Sequence, residues 1–376
     1  ADRWLHSESV LPVSFGKTIL PSKFPPPTEL LDLQPLPVST LNEESFVKLF
    51  PFKEFNPIQT QTFHELYKTD GNVLVCAPSG SGKTALADFA ILRMLVSDPK
   101  GKCVYVVPTD EIAASTYRDW SVRFGSLLGA NQVVKLTGDA PTDLKLIART
   151  KIIVATIKQW DVLTRRWRQR KALHTVSLVI FDELHFLSGE YGPTLEVAIS
   201  RMRFFASEQE DKQIRIIGLS ASLANAREVG EWMGVSQKRL FNFSPKVRPI
   251  PLEIYFQSFE QSNYAARLMA MGKPLYNAVV RHAIDKPVLV FVPSRKQAQL
   301  TAIDLLTYHE SQRGSTFVSD PSASEKLEEA SSNIVDGTLK QVLLSGIGFV
   351  YEGMRGGDRD TVSKLYKDGL IQIVVC

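Results

Sequence analysis

Cysteine is scarce in this 376-residue chain: Cys76, Cys103 and Cys376 lie far apart and show no CxxC spacing. That pattern implies neither a disulfide framework nor a zinc site, and it fits a reducing compartment. Long apolar runs are missing too. None approaches the ~20 residues that span a bilayer, and the N-terminus lacks the charged-then-apolar pattern of a secretory signal, so no membrane partner is expected. Nor does charge of one sign dominate. Lys plus Arg number 44 against 40 Asp plus Glu, a net charge of +4 with no basic tail, which scarcely favours nucleic acid over other partners. No internal repeat is present. What remains is the 44% hydrophobic content of a folded protein, in a length suited to about two domains. The chain begins at Ala1 and stops at Cys376 behind the apolar run Ile371–Val375, so it reads as a piece of something longer.

Residues 1–44 are rich in proline, with Pro25, Pro26 and Pro27 in succession, and predict an extended lead segment. From about residue 45, short apolar runs alternate with helical stretches. The runs are Val73–Cys76, Val104–Val107, Ile152–Val154, Leu178–Phe181, Ile214–Leu219, Val288–Val292 and Ile371–Val375. Each is short and largely β-branched, as strands buried on both faces of a parallel sheet require. Their alternation with helices predicts an α/β fold of right-handed βαβ units. Pro245, Pro249 and Pro251 mark residues 242–252 as a linker between a domain over 45–241 and a second over 253–376. Residues from about 310 to 338 are polar and predict a surface insertion.

Two motifs carry chemistry. Ala77-Pro-Ser-Gly-Ser-Gly-Lys-Thr84 follows the Val73–Cys76 run and opens an apolar helical stretch, the context of a phosphate-binding loop. Gly80 and Gly82 let backbone N–H groups approach an anion, with Ser79 and Ser81 beside them, and a helix N-terminus adds partial positive charge. In that reading Lys83 reaches the β/γ-phosphates of ATP and Thr84 holds Mg²⁺. Asp182-Glu183-Leu184-His185 ends the Leu178–Phe181 run, placing two carboxylates at the edge of the sheet where α/β ligands bind. Asp182 is then the second Mg²⁺ residue, and Glu183 orients and deprotonates the attacking water. A basic cluster, Arg165, Arg166, Arg168, Arg170 and Lys171 around Trp167, suits either phosphate and base contacts or, the preferred reading, a contact to another domain or partner.

Together these motifs resemble the DExH branch of superfamily-two helicases, and the rest of the chain follows that family in order. Phe55-Asn-Pro-Ile-Gln59 resembles its adenine-reading motif, which assigns Gln59 to the base. Leu136-Thr-Gly-Asp139 resembles a motif on the nucleic-acid path. Ser220-Ala-Ser222 stands where such helicases carry Ser-Ala-Thr; with His185, Ser220 and Ser222 are expected to couple nucleotide state to strand movement. Val288–Lys296 and Gly346–Met354 resemble motifs of a second motor domain. The resemblance implies tandem RecA-like P-loop domains, the second one incomplete here, which leaves that domain without its arginine fingers and marginally stable. Residues Glu29–Val38, Arg165–Lys171, Gly189–Arg203 and Leu300–Leu306 are similar to the Ski-like subfamily, and within it to the second of two cassettes in its spliceosomal members. That implies action in pre-mRNA splicing in the nucleus, with the other cassette of the same polypeptide and spliceosomal proteins as partners. A DNA-repair helicase of the subfamily is the rival within the family.

Three departures from an active helicase matter. Ser222 replaces the usual Thr, a minor change. Asp110 and Glu111 occupy the strand-contacting motif, where carboxylates repel an RNA backbone. Val350 and Tyr351 stand where active Ski-like helicases tend to have two histidines. The expectation is a cassette that binds nucleotide, contacts RNA weakly, turns over slowly, and regulates its neighbour. An active ATP-dependent RNA helicase is the alternative.

Overall fold

The computed structural model describes residues 28–208, 214–283, 286–313, 317–318 and 321–376; the first 27 residues of the expected lead segment lie outside them. Two compact units divide the chain between Tyr255 and Phe256.

The first unit is built on a seven-stranded, wholly parallel sheet. Its strands are β1 (Val73–Cys76), β2 (Lys102–Val107), β3 (Val133–Lys135), β4 (Ile152–Thr156), β5 (Val176–Phe181), β6 (Arg215–Ser220) and β7 (Leu240–Asn242), in the order β3-β4-β2-β5-β6-β1-β7. Successive side chains of a strand point to opposite faces, and the two cores divide accordingly. Val73, Val75, Tyr105, Leu178 and Ile180 pack with Phe55, Phe63, Phe89 and Trp120. Leu74, Cys76, Val104, Val179 and Phe181 pack on the other face with Trp160, Ile199 and Met202. Strands apolar at every position are therefore those covered on both sides. Within the lead segment, Val38 and Leu41 are buried in the first of these cores.

The second unit holds a three-stranded parallel sheet in the order β8-β10-β9: β8 (Val288–Val290), β9 (Ile347–Phe349) and β10 (Ile373–Val375). Tyr276, Leu305, Leu339, Phe349 and Leu365 form its core.

Several details differ from the sequence-based expectation. Strands β3, β7 and β9, three residues each, were not among the apolar runs that the sequence marks. Asn242, the first residue of the expected linker, closes β7. β8 is shorter than predicted and is not buried on both faces: Leu289 is 53% exposed, and Phe291 beyond it is 80% exposed. The expected surface insertion contains a helix, Pro321–Ser332. Ala323, Leu327 and Ala330, followed by Ile334, recur at helical spacing; Leu327, Ala330 and Ile334 pack into the second core or against it, Leu327 is fully buried, and Ala323 is buried too. The low apolar content of that segment concealed one apolar face.

Candidate nucleotide site

The motif residues of the first unit follow the C-terminal ends of β1, β5 and β6, on one edge of the parallel sheet. A parallel α/β sheet offers that edge to ligands.

The phosphate loop leaves β1 at Cys76 and enters the helix Lys83–Ser97. Gly80 and Gly82 both have φ of +79°, a region that costs side-chain-bearing residues energy. A Cβ on Gly82 would lie 2.4 Å from Gln59 Nε2, so no larger residue fits without displacing it. Ser79, Gly80, Gly82 and Thr84 are exposed, whereas Ser81 is buried and its Oγ has no hydrogen-bond partner. Lys83 folds back, donating from Nζ to the carbonyls of Ala77 at 3.0 Å and Pro78 at 3.3 Å.

The Phe55–Gln59 motif braces this loop. Asn56 caps the helix Pro57–Phe63 in a reciprocal capping box with Gln59. Asn56 Nδ2 donates to Ser81 O at 2.9 Å and Gln59 Nε2 to Gly82 O at 3.2 Å, while Gln59 Oε1 accepts from Asn56 N at 3.0 Å. Gln59 is thus buried with both ends of its amide engaged.

Asp182 follows β5, its carboxylate held from two sides. Oδ1 accepts from Glu183 N at 2.8 Å, and Oδ2 accepts a short hydrogen bond from the Tyr105 hydroxyl on β2. Burial raises the Asp182 pKa above the ordinary carboxylate value, against the opposing effect of the Tyr105 hydrogen bond. Burial, and then the charge of Asp182, pushes the Tyr105 phenol well up, so it stays a donor. Glu183 has φ of +56°, left-handed backbone uncommon for a non-glycine residue. Such strain is a pointer to function, and here it turns the side chain toward His185. His185 Nδ1 lies 3.3 Å from Glu183 Oε2 and 3.3 Å from Ala221 N. One ring nitrogen serves one of these partners at a time: deprotonated it accepts from Ala221, protonated it donates to Glu183. Ser222 Oγ donates to Phe243 O at 2.6 Å, and Ser220 Oγ is buried without a partner. Glu183, His185 and the Ser220–Ser222 loop are therefore in direct contact.

The departures have local explanations. Thr109 caps the helix Asp110–Leu128, and Asp110 and Glu111 fill its first turn, where negative charge is favourable. Asp110 is also paired with Lys135 Nζ at 2.8 Å, so the repulsion expected of it is partly offset. In the second unit Tyr351 stacks on Phe349, centroids 6.1 Å apart, and Val350 N donates to Val375 O. In the basic cluster Arg165 is spent on Asp161, Arg168 on Glu208 and Arg170 on backbone carbonyls, while Trp167 packs 4.2 Å from Phe205. That indole is part of the fold rather than a platform for a base.

Tyr105 and Asn56 were not singled out by sequence. Asn56 carried a signal, an N-cap residue before Pro57 with Gln59 at the third helical position. Tyr105 carried none, lying inside an apolar strand.

A family profile described as DEAD/DEAH box helicase matches residues 56–229. Over its whole length the chain is 48% identical to the U5 small nuclear ribonucleoprotein 200 kDa helicase of Homo sapiens, covering 18% of that protein. It is 49% identical to the DExH-box ATP-dependent RNA helicase DExH12 of Arabidopsis thaliana and 43% identical to the activating signal cointegrator 1 complex subunit 3 of Gallus gallus, covering 17% of each. The chain thus spans under a fifth of the length of these relatives.

Proposed function

Because this chain belongs to the DEAD/DEAH box helicases, we propose that it is an ATP-binding cassette of a nuclear RNA helicase of the spliceosome. In this reading the cassette hydrolyses ATP slowly, regulates an active cassette of the same polypeptide, and offers a docking surface to splicing proteins. The observation that carries nucleotide binding is the convergence of the loop Ser79–Thr84 and the carboxylates Asp182 and Glu183 on one edge of a parallel sheet.

The residues suit a nucleotide and its metal. Two glycines with positive φ, exposed amides at a helix N-terminus and the unpartnered Ser81 hydroxyl form a cradle for phosphate oxygens. Lys83 exchanges the Ala77 and Pro78 carbonyls for the β/γ-phosphates, and Gln59 exchanges Gly82 O for the adenine edge. Thr84 and Asp182 hold Mg²⁺, which supplies charge neutralisation at the phosphates when bound. Tyr105 orients Asp182. Glu183 holds and deprotonates the attacking water, and His185 reports that event to Ser220 and Ser222. Slow turnover and weak RNA contact rest on Glu111, Val350 and Tyr351, and less on Asp110, whose charge Lys135 offsets. That offset, with Lys83, Asp182 and Glu183 all present in the first unit, favours the second reading, an active ATP-dependent RNA helicase cassette.

Gly82→Ala tests the cradle. The added methyl combines positive-φ strain with a collision at Gln59 Nε2, and ATP affinity is expected to fall at least tenfold in a fluorescent-nucleotide titration. Unchanged affinity would remove the loop from the binding site.

A further inference from the structure

We propose that Arg248 is a nucleotide-binding residue that closes over the phosphates from the segment following β7. The proposal rests on the phosphate-loop reading above and adds to it a group outside the family-matched residues 56–229.

The backbone brings Arg248 there by strand pairing. β7 pairs with β1 in parallel, and beyond them Phe243 N donates to Cys76 O at 2.8 Å, beside the start of the phosphate loop. Phe243 is fully buried, Ser222 Oγ bonds its carbonyl, and the short turn Pro245–Val247 sets Val247 against the core. The next residue is Arg248. Its guanidinium lies on Gly80: a Cβ built there would be 3.1 Å from Arg248 Nη2 and 3.2 Å from Nε. A side chain at position 80 would crowd the arginine away.

The electrostatics of this placement call for an anion. A cation is disfavoured at a helix N-terminus, where the dipole and free N–H groups already carry positive charge. Lys83 adds a second cation to the same loop. Arg248 nevertheless lies on it, and its Nε is buried with no hydrogen-bond partner. A buried donor without an acceptor is destabilising. A polyphosphate resolves both problems, since a guanidinium presents N–H donors in a fork that suits phosphate oxygens. The ligand class is therefore a nucleoside di- or triphosphate. Because Ser222 grips the same segment through Phe243 O, occupancy of the phosphates is read by the coupling motif as well as by Glu183 and His185.

The test is competition of ATP, ADP and AMP against a fluorescent ADP analogue, for the wild-type protein, Arg248→Ala, Arg248→Lys and Lys83→Ala. Thermal unfolding serves as the folding control. Arg248→Ala is expected to weaken ATP and ADP about tenfold or more while leaving AMP unchanged, and Arg248→Lys to recover part of the loss. If ATP and ADP bind to Arg248→Ala as tightly as before, or more tightly, while Lys83→Ala loses them, the Arg248 proposal is overturned and the phosphate loop stands. Should neither variant change affinity, the phosphate-loop reading falls and the proposal with it. An equal loss for AMP would also overturn it, because the effect would then not arise at the β/γ-phosphates.

Discussion

Lys83→Ala is expected to reduce ATP affinity at least about 100-fold in a fluorescence titration. Hydrogen bonds to charged groups contribute roughly 1.5–3 kcal/mol each, and tenfold in affinity is about 1.4 kcal/mol. Losing the ammonium from two phosphate oxygens therefore corresponds to about two to four decades. The variant also loses an internal brace, because Lys83 Nζ spans the Ala77 and Pro78 carbonyls. Two consequences separate these effects. Thermal stability without nucleotide should change little, since the loop is an exposed turn, whereas the stabilisation given by added ATP should vanish.

Arg123→Ala should destabilise the first unit by about 3–5 kcal/mol at neutral pH, the usual penalty for stranding a buried charge. Asp88 lies on the helix that carries the phosphate loop and is 1% exposed. Its Oδ2 accepts from Arg123 Nη2 at 2.6 Å, and its Oδ1 has no partner. Burial outweighs the arginine and raises the Asp88 pKa to about 6. A folded value above the unfolded one of 3.8 means that the folded state binds more protons between them. The stability Asp88 provides is thus present below about pH 4 and is lost as pH rises through about 6. Without Arg123 the carboxylate is harder still to ionise, so the deficit against wild type is largest at neutral pH and shrinks below about pH 6. Urea unfolding of both proteins across that range measures it. A deficit independent of pH would mean that Arg123 acts through packing and its Leu49 carbonyl contact rather than through Asp88.

The sheet of the first unit was largely legible because its central strands carry runs of consecutive apolar residues, and β1 and β5 lead directly into recognisable motifs. What escaped depended on contacts that sequence does not display. β3 and β7 are edge strands of three residues, defined by pairing with β4 and β1 rather than by composition. The helix Pro321–Ser332 hides its apolar positions among serines and glutamates. The site divides in the same way. Ser79–Thr84 and Asp182–His185 announce themselves by spacing, since backbone geometry dictates glycines and adjacent carboxylates. Tyr105 and Arg248 belong to other elements and reach the site through packing. Trp167 is a further case: its position among arginines suits either base contacts or, preferably, a contact to another domain or partner, and its partly buried ring packs against the core beside Phe205.

In the proposed function this cassette holds nucleotide yet turns over slowly and without help from RNA. The most direct test is the ATP affinity and hydrolysis rate of the intact protein, with and without single-stranded RNA, beside Lys83→Ala. Binding that depends on Lys83, with a low rate that RNA leaves unchanged, is the predicted result. A rate that rises with RNA and vanishes in Lys83→Ala would contradict the claim. It would make Glu111, Val350 and Tyr351 compatible with a working motor.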